Sequence, residues 1–106
     1  MKLLVVDDDV HIRRIAALYL RGHNVAECAT AEEALQRVAS ERFDAAIVDV
    51  ILPPSGGLRL CRKLKDAGMR VIVMSGDEGV RDEARDAGAD AFLAKPFTKD
   101  ALLALL

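Results

Sequence analysis

The sequence has no apolar run approaching the ~20 residues a membrane helix requires, and its N-terminus lacks a charged-then-apolar leader with a small-residue cleavage site. A membrane partner is therefore not expected, and a cytoplasmic protein is. An excess of basic charge is also missing: the net charge is −2 and the pI about 5.6. Bulk electrostatics thus offer nucleic acid no footing. Cysteine occurs twice, at Cys28 and Cys61. Each sits among aliphatic neighbours and outside any CxxC or Cys/His cluster, so buried thiols are expected rather than a disulfide or a zinc site. No linker or low-complexity segment interrupts the 106 residues, which read as one domain, 1–106.

What is present is a regular alternation of strand and helix. "KLLVV" at 2–6 is a short continuous apolar run, the mark of a strand covered on both faces. Ile12, Ile15, Ala16 and Tyr19 then recur at helical spacing, with Asp9 placed to cap the start and Gly22 to end it. "NVAEC" at 24–28 reads as a second strand. Thr30 and Glu33 form a capping box for a helix with Ala34, Leu35, Val38 and Ala39 on its apolar face. "FDAAIVDV" from Phe43 is the third strand, followed by the turn "LPPSGG" and a helix with Leu58, Cys61 and Leu64 inward, closed by Gly68. "RVIVMS" is the fourth strand. Val80, Ala84 and Ala87 mark a fourth helix ended by Gly88, "AFLAK" the fifth strand, and "TKDALLALL" a short final helix. Repeated βα units with short loops predict an α/β fold: a doubly wound, five-stranded parallel sheet with helices on both faces. Such sheets bind ligands at the carboxyl ends of their strands, where the strand order reverses.

That edge is acidic. "LLVVDDD" sets Asp7 and Asp8 at the end of the first strand, and Asp49 ends the third. In the strand order 2-1-3-4-5 these two strands flank the reversal point, so the three carboxylates converge. Two unit charges ~4 Å apart repel by roughly 4 kcal/mol at an effective dielectric near 20, which calls for a proton or cation between them. Mg²⁺, or another hard divalent ion such as Mn²⁺, fits an open crevice that offers a few carboxylates. Asp9, in contrast, reads as a helix cap. The fourth strand ends in Ser75 and the fifth in Lys95, followed by Pro96. Alone, Ser75 would be a turn residue and Lys95 a surface lysine. Together with the acids they make a receptor for a phosphoryl group, with Asp49 as the candidate nucleophile.

"VVDDD", "IVDVILPPSGG", "VIVMSG" and "AGADAFLAKPF" together resemble the receiver domain of bacterial two-component response regulators of the chemotaxis type, over essentially the whole chain. The resemblance implies a phosphorelay role. Asp49 takes a phosphoryl group from a sensor histidine kinase or phosphotransfer protein, and Mg²⁺ is required. Asp8 holds the metal directly and Asp7 through water, with Asp49 and the backbone carbonyl of Ile51 completing the protein ligands. Ser75 and Lys95 bind phosphoryl oxygens, and the Lys95-Pro96 bond is cis. Phe92 stands at the switch-aromatic position, although phenylalanine has no hydroxyl to signal with. The output is altered binding through the fourth helix, fifth strand and fifth helix, so the domain is a phosphoacceptor switch rather than an enzyme.

The chain departs from its relatives in spacing: nineteen residues separate Ser75 from Lys95, slightly fewer than is usual. Ala91 and Phe92 replace the Asp and Tyr typical of the dimerising winged-helix class, which points to a monomer or weak dimer. The downstream partner is another protein or a C-terminal output domain outside these residues, and no direct nucleic-acid binding by this domain is expected. An aspartyl-phosphate hydrolase would need a second Asp where Ile51 stands. A flavin binder would need a Ser/Thr/Gly-rich cradle after the first strand. A phosphorylation-independent binding module would not need all five site positions filled.

Overall fold

A computed structural model describes residues 1–52 and 56–106. Among the described residues the strands are β1 (Lys2–Val6), β2 (Asn24–Cys28), β3 (Ala45–Asp49), β4 (Arg70–Ser75) and β5 (Ala91–Ala94). The helices are α1 (Val10–Tyr19), α2 (Ala31–Ser40), α3 (Gly57–Asp66), α4 (Arg81–Asp86) and α5 (Lys99–Leu103). All pairings are parallel and the sheet order is β2-β1-β3-β4-β5, the doubly wound arrangement expected from the alternation. The central residues Pro53–Ser55 of the anticipated "LPPSGG" turn lie outside the described residues.

Strand periodicity builds two cores. Because successive side chains point to opposite faces, Leu4 and Val6 of β1 join Val71 and Val73 of β4 beneath α2, α3 and α4. Leu3, Val5, Ile47, Ile72 and Met74 face the other way, toward α1 and α5. Both faces of the central strands are therefore covered, which is why they read as unbroken apolar runs. Cys28 and Cys61 are buried and free, and burial raises both thiols above their ordinary value.

The helix starts follow their caps. The Asp9 side chain accepts from the His11 amide at 2.9 Å, and Thr30 Oγ1 from the Glu33 amide at 3.1 Å. Glu33 reaches back one residue further than the usual box, to the Ala29 amide at 3.1 Å. Some helix faces are rotated from expectation. Ile15 is exposed, whereas Ala16 is buried with Ile12 and Tyr19 packed beside it and Leu20 buried just past the helix. Ala39 is exposed while Ala31 is buried at the start of α2, and in α3 Leu60 is buried with Cys61 and Leu64 while Leu58 is only half-buried. Val80 belongs to a single 3₁₀ turn (Glu78–Val80) that precedes the six-residue α4. Strand β3 begins at Ala45, with Phe43 buried just before it, and β5 ends at Ala94, one residue before Lys95. No helix among the described residues is long and apolar enough to cross a membrane.

Candidate functional site

Parallel register brings the strand ends to one edge. Val6 of β1 pairs with Val48 of β3, so Asp7 and Asp49 follow side by side. Asp49 pairs with Met74, and Ser75 with Ala94, which places Lys95 next on the outer strand. One carboxylate oxygen from each of Asp7, Asp8 and Asp49 lies within 4.8 Å of the others. The three differ in environment: Asp7 is fully buried, Asp49 is 7% exposed, and Asp8 stands in solvent.

Lys95 is the cation that holds the acids together. Its Nζ lies 2.9 Å from Asp7 Oδ2 and 3.4 Å from Asp49 Oδ2. Burial pulls the ammonium down, but the hydrogen bond to Asp7 and the charge of Asp49 outweigh this and hold it above the ordinary lysine value. Asp49 is held the other way. Burial and the neighbouring charge of Asp7 push its carboxyl above the usual range, against the pull of Lys95 and a 3.3 Å hydrogen bond from the Ile51 amide to Oδ1. A single lysine does not offset the acids crowded at this edge.

The remaining predicted residues surround this trio. The Ser75 hydroxyl is buried and accepts from the Asp77 amide at 2.9 Å. The Asp77 carboxylate is occupied in capping the 3₁₀ turn through the Gly79 amide at 2.8 Å. The Ile51 side chain is 73% exposed and the Lys95-Pro96 bond is cis. Phe92 is half-buried against the α2–α4 core, and the Arg81 guanidinium sits 4.5 Å from its ring centroid.

Two contributors escaped the sequence reading. The Arg13 guanidinium donates to the Asp7 carbonyl at 2.7 Å and pairs with Glu27 at 3.3 Å. With the Asp7 amide donating to the Cys28 carbonyl at 3.1 Å and the Asp9 amide to Asp7 Oδ1 at 2.8 Å, the acidic loop is fixed from every side. The second is Gly57. A Cβ added there would lie 1.7 Å from the Asp49 carbonyl oxygen, so only glycine lets α3 start against the acceptor strand. The paired glycines after the prolines were the available signal for it.

The chain matches the family described as "Response regulator receiver domain" over residues 3–106. It is 38% identical over 110 aligned residues to response regulator MprA of Mycobacterium avium, covering 98% of this chain and 48% of that protein. The chain thus spans about half the length of the curated relatives it matches. Among solved structures it resembles a CheY-like receiver domain protein from Methanospirillum hungatei, with 32% identity and TM-score 0.88 over 97% of this chain and 87% of that one. It also resembles a Burkholderia pseudomallei response regulator solved with a phosphorylated aspartic acid, calcium ion and citrate, at 32% identity and TM-score 0.88, covering 99% and 65% of the two chains.

Proposed function

This chain belongs to the response regulator receiver domain family of two-component signalling, and we propose that within it Asp49 is the phosphoacceptor. The observation that carries this is the Lys95 ammonium shared between Asp7 and Asp49, with Asp8 open to solvent beside them. An Asp49 carboxylate oxygen attacks the phosphorus of a phosphohistidine on a sensor kinase or phosphotransfer protein. An O–P bond forms as the N–P bond breaks, and the imidazole leaves. Lys95 then has a phosphoryl oxygen to bind in place of the Asp49 carboxylate. The Ser75 hydroxyl, whose oxygen accepts from the Asp77 amide, offers its own O–H as a second donor.

The donor set fits a hard divalent cation. Asp7, Asp8 and Asp49 present oxygens alone and close together, Asp7 and Asp49 buried and Asp8 in solvent, a donor set that suits Mg²⁺ or Mn²⁺. Asp7, Asp8, Asp49 and the backbone carbonyl of Ile51 would hold it. A bound ion supplies charge neutralisation for the phosphoryl oxygens. The phosphorylated aspartate and calcium ion of the Burkholderia relative support both assignments.

Phosphorylation adds charge and acceptor oxygens at Asp49, which draws Ser75 and Lys95 inward and biases Phe92, α4, β5 and α5 toward a second state. The result is altered binding to a downstream protein or to an attached output domain, and the domain turns over no external substrate. Intact mass after incubation with phosphoramidate, with and without Mg²⁺ and beside Asp49→Asn, tests this. A Mg²⁺-dependent gain of one phosphoryl group, absent in the variant, is expected. No gain in folded wild-type protein that binds Mg²⁺ would overturn it and leave a phosphorylation-independent binding module.

A further inference from the structure

Basic side chains on most helices of this protein are compensated. Arg13, Arg14, Arg37, Arg81 and Arg85, on α1, α2 and α4, each lie 2.6–3.5 Å from a carboxylate. Helix α3 follows the pattern only at Lys65, which pairs with Asp90 at 2.8 Å. Its Arg59, Arg62 and Lys63 are exposed, and among the described residues none forms an ion pair, not even with Asp66 one turn further on. Spaced at i, i+3 and i+4, the three cations share one face. Arg59 is also poorly placed for helix stability. It lies in the first turn, where the macrodipole is positive and favours acids, yet that turn contains no acid.

Beside these cations runs a groove of about 210 Å³ between α2 and α3, lined by Ala31, Leu35, Arg59, Leu60 and Lys63. Its floor is aliphatic and its α3 rim is cationic. The volume falls below the ~300 Å³ at which small-molecule sites begin, so it suits a side chain presented by another protein. Ala31 and Arg59 belong to the first turns of their helices, so the groove opens at the sheet edge that carries the acids.

We propose that this groove docks an acidic segment of a partner protein. One aliphatic side chain of the segment rests on Ala31, Leu35 and Leu60, and carboxylates on either side meet Arg59, Lys63 and Arg62. Guanidinium forks match carboxylates in paired hydrogen bonds, and the cations give the segment its register and its rate of encounter. Phosphates of a nucleic acid could take the cations but would leave the aliphatic floor unfilled. The assignment is independent of whether Asp49 is phosphorylated.

Fluorescence anisotropy with a labelled peptide of glutamates flanking a Leu-Leu pair tests the assignment, beside a peptide with serine for leucine and a labelled DNA duplex. The Glu-Leu peptide is expected to bind in a salt-sensitive manner and more tightly than the other two. Arg59→Glu with Lys63→Glu should weaken it by roughly tenfold or more, and the neutral pair Arg59→Gln with Lys63→Gln by less. Arg21→Glu with Arg42→Glu makes the same change of charge on exposed residues away from the groove and should leave binding nearly unchanged. Circular dichroism confirms that each variant folds. Absence of Glu-Leu binding, equal loss in the two glutamate pairs, indifference to leucine, or preference for the duplex would each overturn the proposal.

Discussion

The two edges of the sheet treat carboxylates in opposite ways. At the amino edge each acid meets a donor of its own. The Asp90 carboxylate accepts from Lys65 Nζ and from the Val71 amide, both at 2.8 Å, and Asp44 accepts from the Lys2 amide at 2.7 Å. Glu41 pairs with Lys2 at 2.8 Å and with Arg37. Asp90 and Glu41 are accordingly held below the ordinary carboxylate value: for Asp90 the Lys65 and Val71 hydrogen bonds outweigh burial, and for Glu41 the bond to Lys2 leads. At the carboxyl edge Asp7 and Asp49 share Lys95 while Asp8 beside them has no cation among the described residues, and burial beside Asp7 lifts Asp49 instead. The amino edge spends its charges on closing the fold. The carboxyl edge keeps negative charge uncompensated, the condition in which a cation or an electrophile gains most by arriving.

The comparison can be broken most forcefully at Gly57. Gly57→Ala should destabilise the domain by roughly 3 kcal/mol, the upper end of overpacking costs, because the added carbon meets backbone and not a yielding side chain. Gly76→Ala, at the same edge but with nothing within 4 Å of the new carbon, should cost less than about 0.5 kcal/mol. Urea midpoints of the two variants decide it; equal midpoints would mean that α3 does not fix the acceptor strand.

Asp49→Asn sharpens the contrast in the other direction. Since the folded protein holds the Asp49 carboxyl above its ordinary value, its ionised form opposes folding. Removing the charge should raise stability at neutral pH, read as a higher thermal midpoint. That advantage should be full above the folded pKa and vanish as pH falls below the ordinary value of 3.8, where the wild-type carboxyl is protonated folded or unfolded. Thermal melts across that pH range would show it, and a destabilised variant would contradict the reading of this edge.

The smallest effect belongs to the amino edge. Asp90→Asn should lower stability by no more than about 1 kcal/mol, as partly exposed pairs do. Its sign with pH is reversed: the Asp90 contribution is complete above the ordinary 3.8 and is lost as pH falls through the lower folded value. Wild type and variant should therefore converge in strong acid, by the same melts.

Much of this was legible before any coordinates. The strands "KLLVV" and "RVIVMS" keep their bounds because buried parallel strands are largely apolar throughout, the edge strand "NVAEC" keeps its own although Asn24 and Glu27 stand in solvent, and strand ends in an ordered βα series must share an edge. That placed Asp7, Asp8, Asp49, Ser75 and Lys95 together. On α1 the helical spacing put Ile12, Ala16 and Tyr19 on the packed face, but Ile15 is exposed and Leu20, just past the helix, is buried instead, a choice that only packing makes. Arg13 looked like any surface arginine, because its bond is to a main-chain carbonyl that no side-chain pattern announces. The tight fit of Gly57 depends on a distance to Asp49 across a turn, and composition carries no distances.

The position of Lys95 has a mechanical side. Asp7 and Asp49 follow strands that are bonded to a neighbour on each flank, whereas β5 is the outermost strand and holds to β4 alone over four residue pairs. Displacing an inner strand would rupture two ladders, and displacing β5 strains one. The acids are thus mounted on the stiff part of the sheet, and the lysine and Phe92 on its compliant margin. A force applied between them would fall first on the single ladder of four residue pairs that joins β5 to β4.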